Sequence, residues 1–161
     1  MEINIVKTPK KYGGMADEIV RELLGLLEEI LPVQERAVLR FQRLEQKRLT
    51  VNEKSAAHTE IFDKCAQEYA KVITGRCTEK EMTLKHPSHI GQTAEYDYIK
   101  GEYTVDFTMK KADTAVVITH FQKGNRSCKH KFALKLVDGK WLVDEVYGGN
   151  EDERKWYYTE L

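Results

Sequence analysis

The sequence predicts an α+β fold in which N-terminal helices pack on a curled antiparallel sheet to form a cone, and three observations predict it. Apolar residues recur at helical spacing through the first half of the chain, strand-like alternation fills the second half, and Asp138-Gly139 marks a tight hairpin between two such strands. Helices first and strands afterwards is the order of an α+β domain rather than of βαβ units.

The first helix is expected over residues 16–31, where Ile19, Leu23, Leu26, Leu27 and Ile30 form one stripe and Arg21, Glu22, Glu28 and Glu29 lie elsewhere on the wheel. Pro32 suits the first turn of a second helix, striped by Val33, Ala37, Val38, Phe41 and Leu44. Residues 52–55 break the pattern. A third helix is expected over 56–74, with Ile61, Cys65, Tyr69, Val72 and Ile73 inward and Gly75 placed to close it. Residues 75–93 read as a polar connector in which His86-Pro87 disfavours helix.

Strand-like runs follow at about 94–99, 103–109, 114–122, 127–137 and 140–147. Asp-Gly favours a two-residue turn with φ > 0 at both central positions, and such a turn sets the register of its hairpin. Val137 then faces Lys140, Leu136 faces Trp141, Leu134 faces Val143, Phe132 faces Glu145 and His130 faces Tyr147. A second two-residue loop at Gly124-Asn125 pairs Thr119 with His130, Val117 with Phe132 and Ala115 with Leu134. After Met109 a two-residue loop would set Phe107 against Val116, so a three-residue loop or a bulge is expected there.

The chain of 161 residues suits one domain, with its helical half at 16–74, its sheet at 94–147 and a C-terminal tail at 148–161. Lys plus Arg, 26, equals Asp plus Glu, 26, so no global field draws it to nucleic acid or to an anionic membrane. The neutrality conceals asymmetry. Residues 123–143 hold six basic residues against one Asp, and residues 144–161 hold six acids against two bases. This reads either as a solvated face paired with an acidic tail or as a bipolar surface that steers a charged partner. Three cysteines without CxxC spacing, no signal peptide and no apolar run of membrane-spanning length imply a reduced, cytoplasmic protein.

The hairpin and its flanks resemble a known superfamily. Residues 132–146, Phe-Ala-Leu-Lys-Leu-Val-Asp-Gly-Lys-Trp-Leu-Val-Asp-Glu-Val, are similar to the last hairpin of nuclear transport factor 2-like, or cystatin-like, α+β cones. Cys77-Thr78-Glu79-Lys80, Tyr96-Asp97 and the ending Arg154-Lys155-Trp156-Tyr157-Tyr158-Thr159-Glu160-Leu161 further resemble bacterial polymorphic-toxin immunity proteins of that fold. The resemblance implies a small cytoplasmic protein that binds and neutralises a cognate toxin domain, with no catalytic residues and no cofactor.

The residues themselves leave other chemistry open. In the turn-derived register Glu145 points to the apolar face beside His130, Tyr147 and Thr119, where burial would raise its pKa and suit it to general acid or base work. That is the rival reading, an isomerase or dehydratase using a cone pocket with Glu145 and His130. The bland alternative sets Glu145 at a wet rim or against a helix side chain. His86 and His89 with Cys77 fall short of a zinc site's spacing. No phosphate loop or nucleophile elbow is present. Lys129, Lys131 and Lys135 alternate on the outer face with core residues rather than with aromatics, which argues against nucleic acid. In the tail, Glu151, Asp152 and Glu153 precede Trp156, Tyr157 and Tyr158, a composition suited to a protein interface, although Trp156 and a tyrosine would also serve to dock the tail on the helices. A homodimer through the outer sheet face is a third reading.

Overall fold

The computed structural model describes residues 2–161. Its elements run β1 (Ile3–Ile5), α1 (Lys10–Gly13), α2 (Ala16–Glu45), α3 (Val51–Ile73), α4 (Glu79–Met82), a 3₁₀ turn (Asp97–Lys100), β2 (Tyr103–Lys111), β3 (Thr114–Lys123), β4 (Arg126–Val137), β5 (Lys140–Asn150) and β6 (Tyr157–Thr159). The architecture is α+β, with an open six-stranded mixed sheet whose spatial order follows the sequence. β1 joins β2 in parallel and every other pair is antiparallel.

Where two helices are expected on either side of Pro32, one helix of 30 residues runs through it. Pro32 lies on the exposed side, and so does Glu28, whose carbonyl loses its amide partner to the proline and is left towards solvent. The apolar stripe continues past it on the opposite side, burying Ile19, Leu23, Leu27, Ile30, Val33 and Ala37. Residues 52–55 do not break the pattern as expected. Thr50 caps α3, accepting from the Glu53 amide while the Glu53 carboxylate accepts from the Thr50 amide, so the helix begins at Val51. Cys65, Tyr69 and Ile73 are its buried residues, and Gly75 closes it at φ +79°.

The strand expected at 94–99 is instead a bend and a 3₁₀ turn. Ala94, Tyr96 and Tyr98 are still buried with period two, because this short turn packs every second side chain on the sheet. The covered face of the sheet carries Val105, Phe107, Val117, Phe132, Leu134 and Val146, which meet the α2 stripe in a single core. The Gly124-Asn125 hairpin has the expected pairs. Between Thr108 and Lys111 the ladder is bulged, and Phe107 pairs with Val117.

The Asp138-Gly139 turn has both residues at positive φ, and it sets Val137 opposite Lys140, Leu136 opposite Trp141 and Leu134 opposite Val143. Beyond that point a β-bulge overturns the expected register. Ala133 meets Glu145, Phe132 meets Val146, Lys131 meets Tyr147 and His130 meets Gly148. A contact from outside the hairpin meets β5 at this bulge. Residues 76–78 run along the free edge of β5, where Val143 accepts from the Thr78 amide and donates to the Arg76 carbonyl. The adjacent Asp144 carboxylate turns to accept the Thr78 hydroxyl at 2.8 Å. One residue is spent at the bulge, and all later side chains of β5 exchange faces.

Candidate functional site

The exchange separates the residues that the turn-derived register groups together. His130 and Thr119 remain on the covered face, 5% and 0% exposed. Glu145 and Tyr147 move to the outer face, so the expected pairing of Glu145 with His130 and Phe132 does not form. Glu145 accepts from Lys80 Nζ at 2.7 Å and from the Tyr147 hydroxyl. These two hydrogen bonds, from Lys80 first, hold the Glu145 carboxyl below its ordinary value, the reverse of the rise expected on burial.

A residue that the sequence did not point to takes the vacant role beside His130. Glu95 Oε1 lies 2.9 Å from His130 Nε2, and Lys123 Nζ lies 3.9 Å from Glu95 Oε2. The hydrogen bond from His130, against the opposing effect of desolvation, brings the Glu95 carboxyl down to about 2. The contact extends inward, since His130 Nδ1 lies 3.2 Å from the Tyr98 hydroxyl, which is 2.9 Å from the Thr119 hydroxyl. Tyr96, Tyr98, Phe121 and Phe132 surround the imidazole with ring centroids 4.9–6.0 Å away. Glu95 precedes the 3₁₀ turn and lies 35 residues from His130 in the chain. No local spacing could have linked them.

Beside this chain is a cavity of about 50 Å³ walled by α2, α3, the connector and the C-terminal residues. Ala37, Val38, Cys65, Ile90 and Ala94 supply its apolar wall, and Tyr69, Tyr96, His130, Glu95 and Glu160 its polar one. Gln34 fixes both tyrosines in place, donating to the Tyr69 hydroxyl and accepting from the Tyr96 amide. Burial raises the Cys65 thiol to about 11, so the thiol is protonated at neutral pH and acts as a core side chain.

Trp156 and the tyrosines of the tail dock on the sheet rather than on the helices, and only the last residues turn towards the helices. β6 pairs with residues 146–148 of β5. Trp156 lies over the outer face, its ring 4.2 Å from Lys129 Nζ and 4.7 Å from Lys131 Nζ, and Lys131 Nζ is also 4.6 Å from the Tyr147 ring. Tyr158 packs edge-on against Tyr147 at 5.4 Å. Aromatics therefore do interleave with the lysine stripe, supplied by the tail and by the bulged half of β5. Tyr157 shares the His130 side of the sheet across Gly148, is 54% exposed, and donates to Glu153 at 2.9 Å.

The acids of the tail are tied down locally. Glu151 and Asp106 hold the two nitrogens of His120 between them, and the Glu153 carbonyl accepts from Lys129 at 3.0 Å. Asp152 is exposed in the turn. The final residue is anchored too, the buried Leu161 donating its amide to Glu81 Oε1 at 2.7 Å. Glu81, 0% exposed, also meets His86 at 3.2 Å, and this accounts for one histidine of the His86 and His89 pair. Among the described residues no group of three His, Cys, Asp or Glu could hold a metal ion. Nor is any described helix long and apolar enough to cross a membrane.

Comparison with family models, with curated proteins and with solved structures gave no match.

Proposed function

We propose that this protein is a non-catalytic immunity protein of the nuclear transport factor 2-like cone type, which binds a cognate bacterial toxin domain in the cytoplasm and blocks it by direct contact, without a cofactor. The observation that carries this reading is how little room the covered face leaves at its His130 end. Tyr96, Phe107, Phe132 and Val117 fill it at 0–1% exposure, and the cavity at its edge measures about 50 Å³. The second cavity on that face, about 250 Å³ between Leu23 and Leu26 of α2 and Leu134 and Trp141 of the hairpin, holds neither His130 nor Glu95. Pockets that enclose a small-molecule substrate run to roughly 300–1,000 Å³. The tail meanwhile presents Tyr158 half-exposed beside Trp156 and Tyr147 on the outer face, and Tyr157 half-exposed on the opposite side of the sheet, residue types that anchor protein interfaces. The resemblance of the hairpin and the tail to immunity proteins of this fold points the same way.

The test is co-expression with the C-terminal domain of the polypeptide encoded immediately upstream. A stoichiometric complex on gel filtration, together with protection of cells expressing that domain, is the expected result. Absence of both would sink the proposal. A second reading, an isomerase or dehydratase, is favoured by the carboxylate–imidazole contact, with Glu95 in place of Glu145. It requires the connector over the cavity to open far enough to admit a substrate.

A further inference from the structure

The cavity beside His130 has walls and a rim of one chemical character. Tyr69 and Tyr96, 3% and 1% exposed, line it with aromatic rings, and Glu95 and Glu160 place two carboxylates on the same wall. Burial is what chiefly raises the pKa of the Tyr69 hydroxyl, and Glu160 and Glu95 each add to that rise, so both charges are felt at one point of the wall. The charged and titratable groups facing them are His130 at 2.9 Å and Lys123 at 3.9 Å from Glu95, and His89 at 3.8 Å from Glu160. Among the described residues, Lys123, on Glu95, is the Lys or Arg side chain paired with these two anions. The remaining bonds of Glu160 come from neutral groups, the amide and hydroxyl of Ser88 and the hydroxyl of Thr159.

A second observation is independent of the acids. The Tyr96 hydroxyl makes no hydrogen bond among the described residues, although its side chain is 1% exposed and lines the cavity. A hydroxyl on the cavity wall without a side-chain partner can bond an occupant. Aromatic rings backed by carboxylates favour a cation, through ring quadrupoles and charge-assisted hydrogen bonds together. Size narrows the choice. At the roughly 10–15 Å³ that one water requires, the space suits about four non-hydrogen atoms, the bulk of a guanidinium group.

We propose that this cavity receives the cationic head of an arginine or lysine side chain presented by the protein partner. The inference rests on the reading of the protein as a partner-binding immunity protein and names the group that reading leaves undefined. The partner's aliphatic stem would lie along Ile90 and Val38, with its head between Glu95 and Glu160.

n-Butylguanidinium is the probe, with butyrate and n-butanol as controls of equal reach. Titration followed by amide NMR is expected to move the resonances of Gly91, Thr93 and Thr159 with n-butylguanidinium alone. Glu160→Gln and Glu95→Gln should each weaken that binding about tenfold, the effect of one charge-assisted hydrogen bond. Equal shifts with butanol or butyrate, or no shift with the guanidinium, would overturn the inference, and these results need no variant to fold. The source of the cation is read by competition with the upstream toxin domain. Displacement of the domain by n-butylguanidinium supports a partner side chain, whereas simultaneous binding of both assigns the cavity to a free amine and overturns it. Failure of the domain to bind in the absence of any probe is the separate failure of the immunity reading.

Discussion

From Val137 to Leu134, β4 meets β5 in the register that the Asp138-Gly139 turn dictates, whereas from Ala133 onward every pair is displaced by one residue at the bulge. The two halves have the same alternating sequence and the same neighbouring strand. They differ in what lies against the free edge of β5. Near the turn, local backbone geometry is sufficient. At the end of that half residues 76–78 bond the free edge of Val143, and Thr78 takes the Asp144 carboxylate where the register shifts and the side chains that face the core change. A register read from a turn therefore holds only as far as the first outside partner that takes a residue from the strand.

The largest effect expected in the bulged half is that of Phe132→Ala. Phe132 is 0% exposed and packs on Tyr96 and His130, so its truncation should cost about 3–5 kcal/mol in denaturant unfolding. Its opposite neighbour in the unbulged register is Glu145, and a loss below about 1 kcal/mol would mean that Phe132 does not sit in the core as described. The comparison is sharpened by Asp144→Ala. This removes a buried acceptor of the Thr78 hydroxyl and should cost about 1–3 kcal/mol. Faster hydrogen exchange at the Thr78 amide is expected with it, because that amide bonds to Val143 beside the bulge. An unchanged exchange rate would show that Asp144 does not hold the edge.

The fold class was legible because it rests on local pattern. Ile19 to Ile30 repeat at helical spacing, and Tyr103 to Met109 alternate strictly. The continuity of α2 through Pro32 was not legible, since it depends on which side of the helix meets solvent. The acid of the site was legible only as a type. A carboxylate beside His130 was expected, and one is there, but Glu95 replaces Glu145 because of the bulge, which sits where residues more than sixty positions upstream meet β5. The aromatic platform was hidden for a related reason. Trp156 and Tyr158 reach the lysines only after β6 folds back onto β5.

Acid and base titration separate the covered end of the sheet from its outer face. Glu95 has a folded pKa of about 2 against an ordinary 4.5, so its contribution to stability is present above 4.5 and is lost as the pH falls towards 2. The Glu95→Gln variant should lack that part of the acid-induced fall in melting temperature. On the outer face the sign is opposite. Burial lowers the pKa of His120, but its hydrogen bonds to Glu151 and Asp106 outweigh this and raise it above the ordinary 6.5. The imidazolium therefore stabilises the fold below 6.5, and its contribution disappears as the pH rises through the raised value. His120→Gln should flatten the stability profile above pH 6.5 and leave the acid limb unchanged. A profile identical to that of the parent would show that His120 is not charged between its two carboxylates.

The smallest expected effect is the most diagnostic of the bulge, because its sign depends on the face that Glu145 occupies. In the observed register Glu145 is on the outer face, its side chain 24% exposed and bonded to Lys80 and Tyr147. A glutamine there keeps the shape, its amide oxygen able to accept from Lys80 and its NH2 to donate to the Tyr147 hydroxyl, so Glu145→Gln should leave the melting temperature unchanged within experimental error. In the unbulged register the same carboxylate would lie against Phe132 in an apolar layer, where removing its charge relieves a desolvation penalty and stabilises the fold. A clear rise in melting temperature for Glu145→Gln would therefore contradict the bulge itself. It would return Glu145 to the side of His130, where the second, catalytic reading needs it.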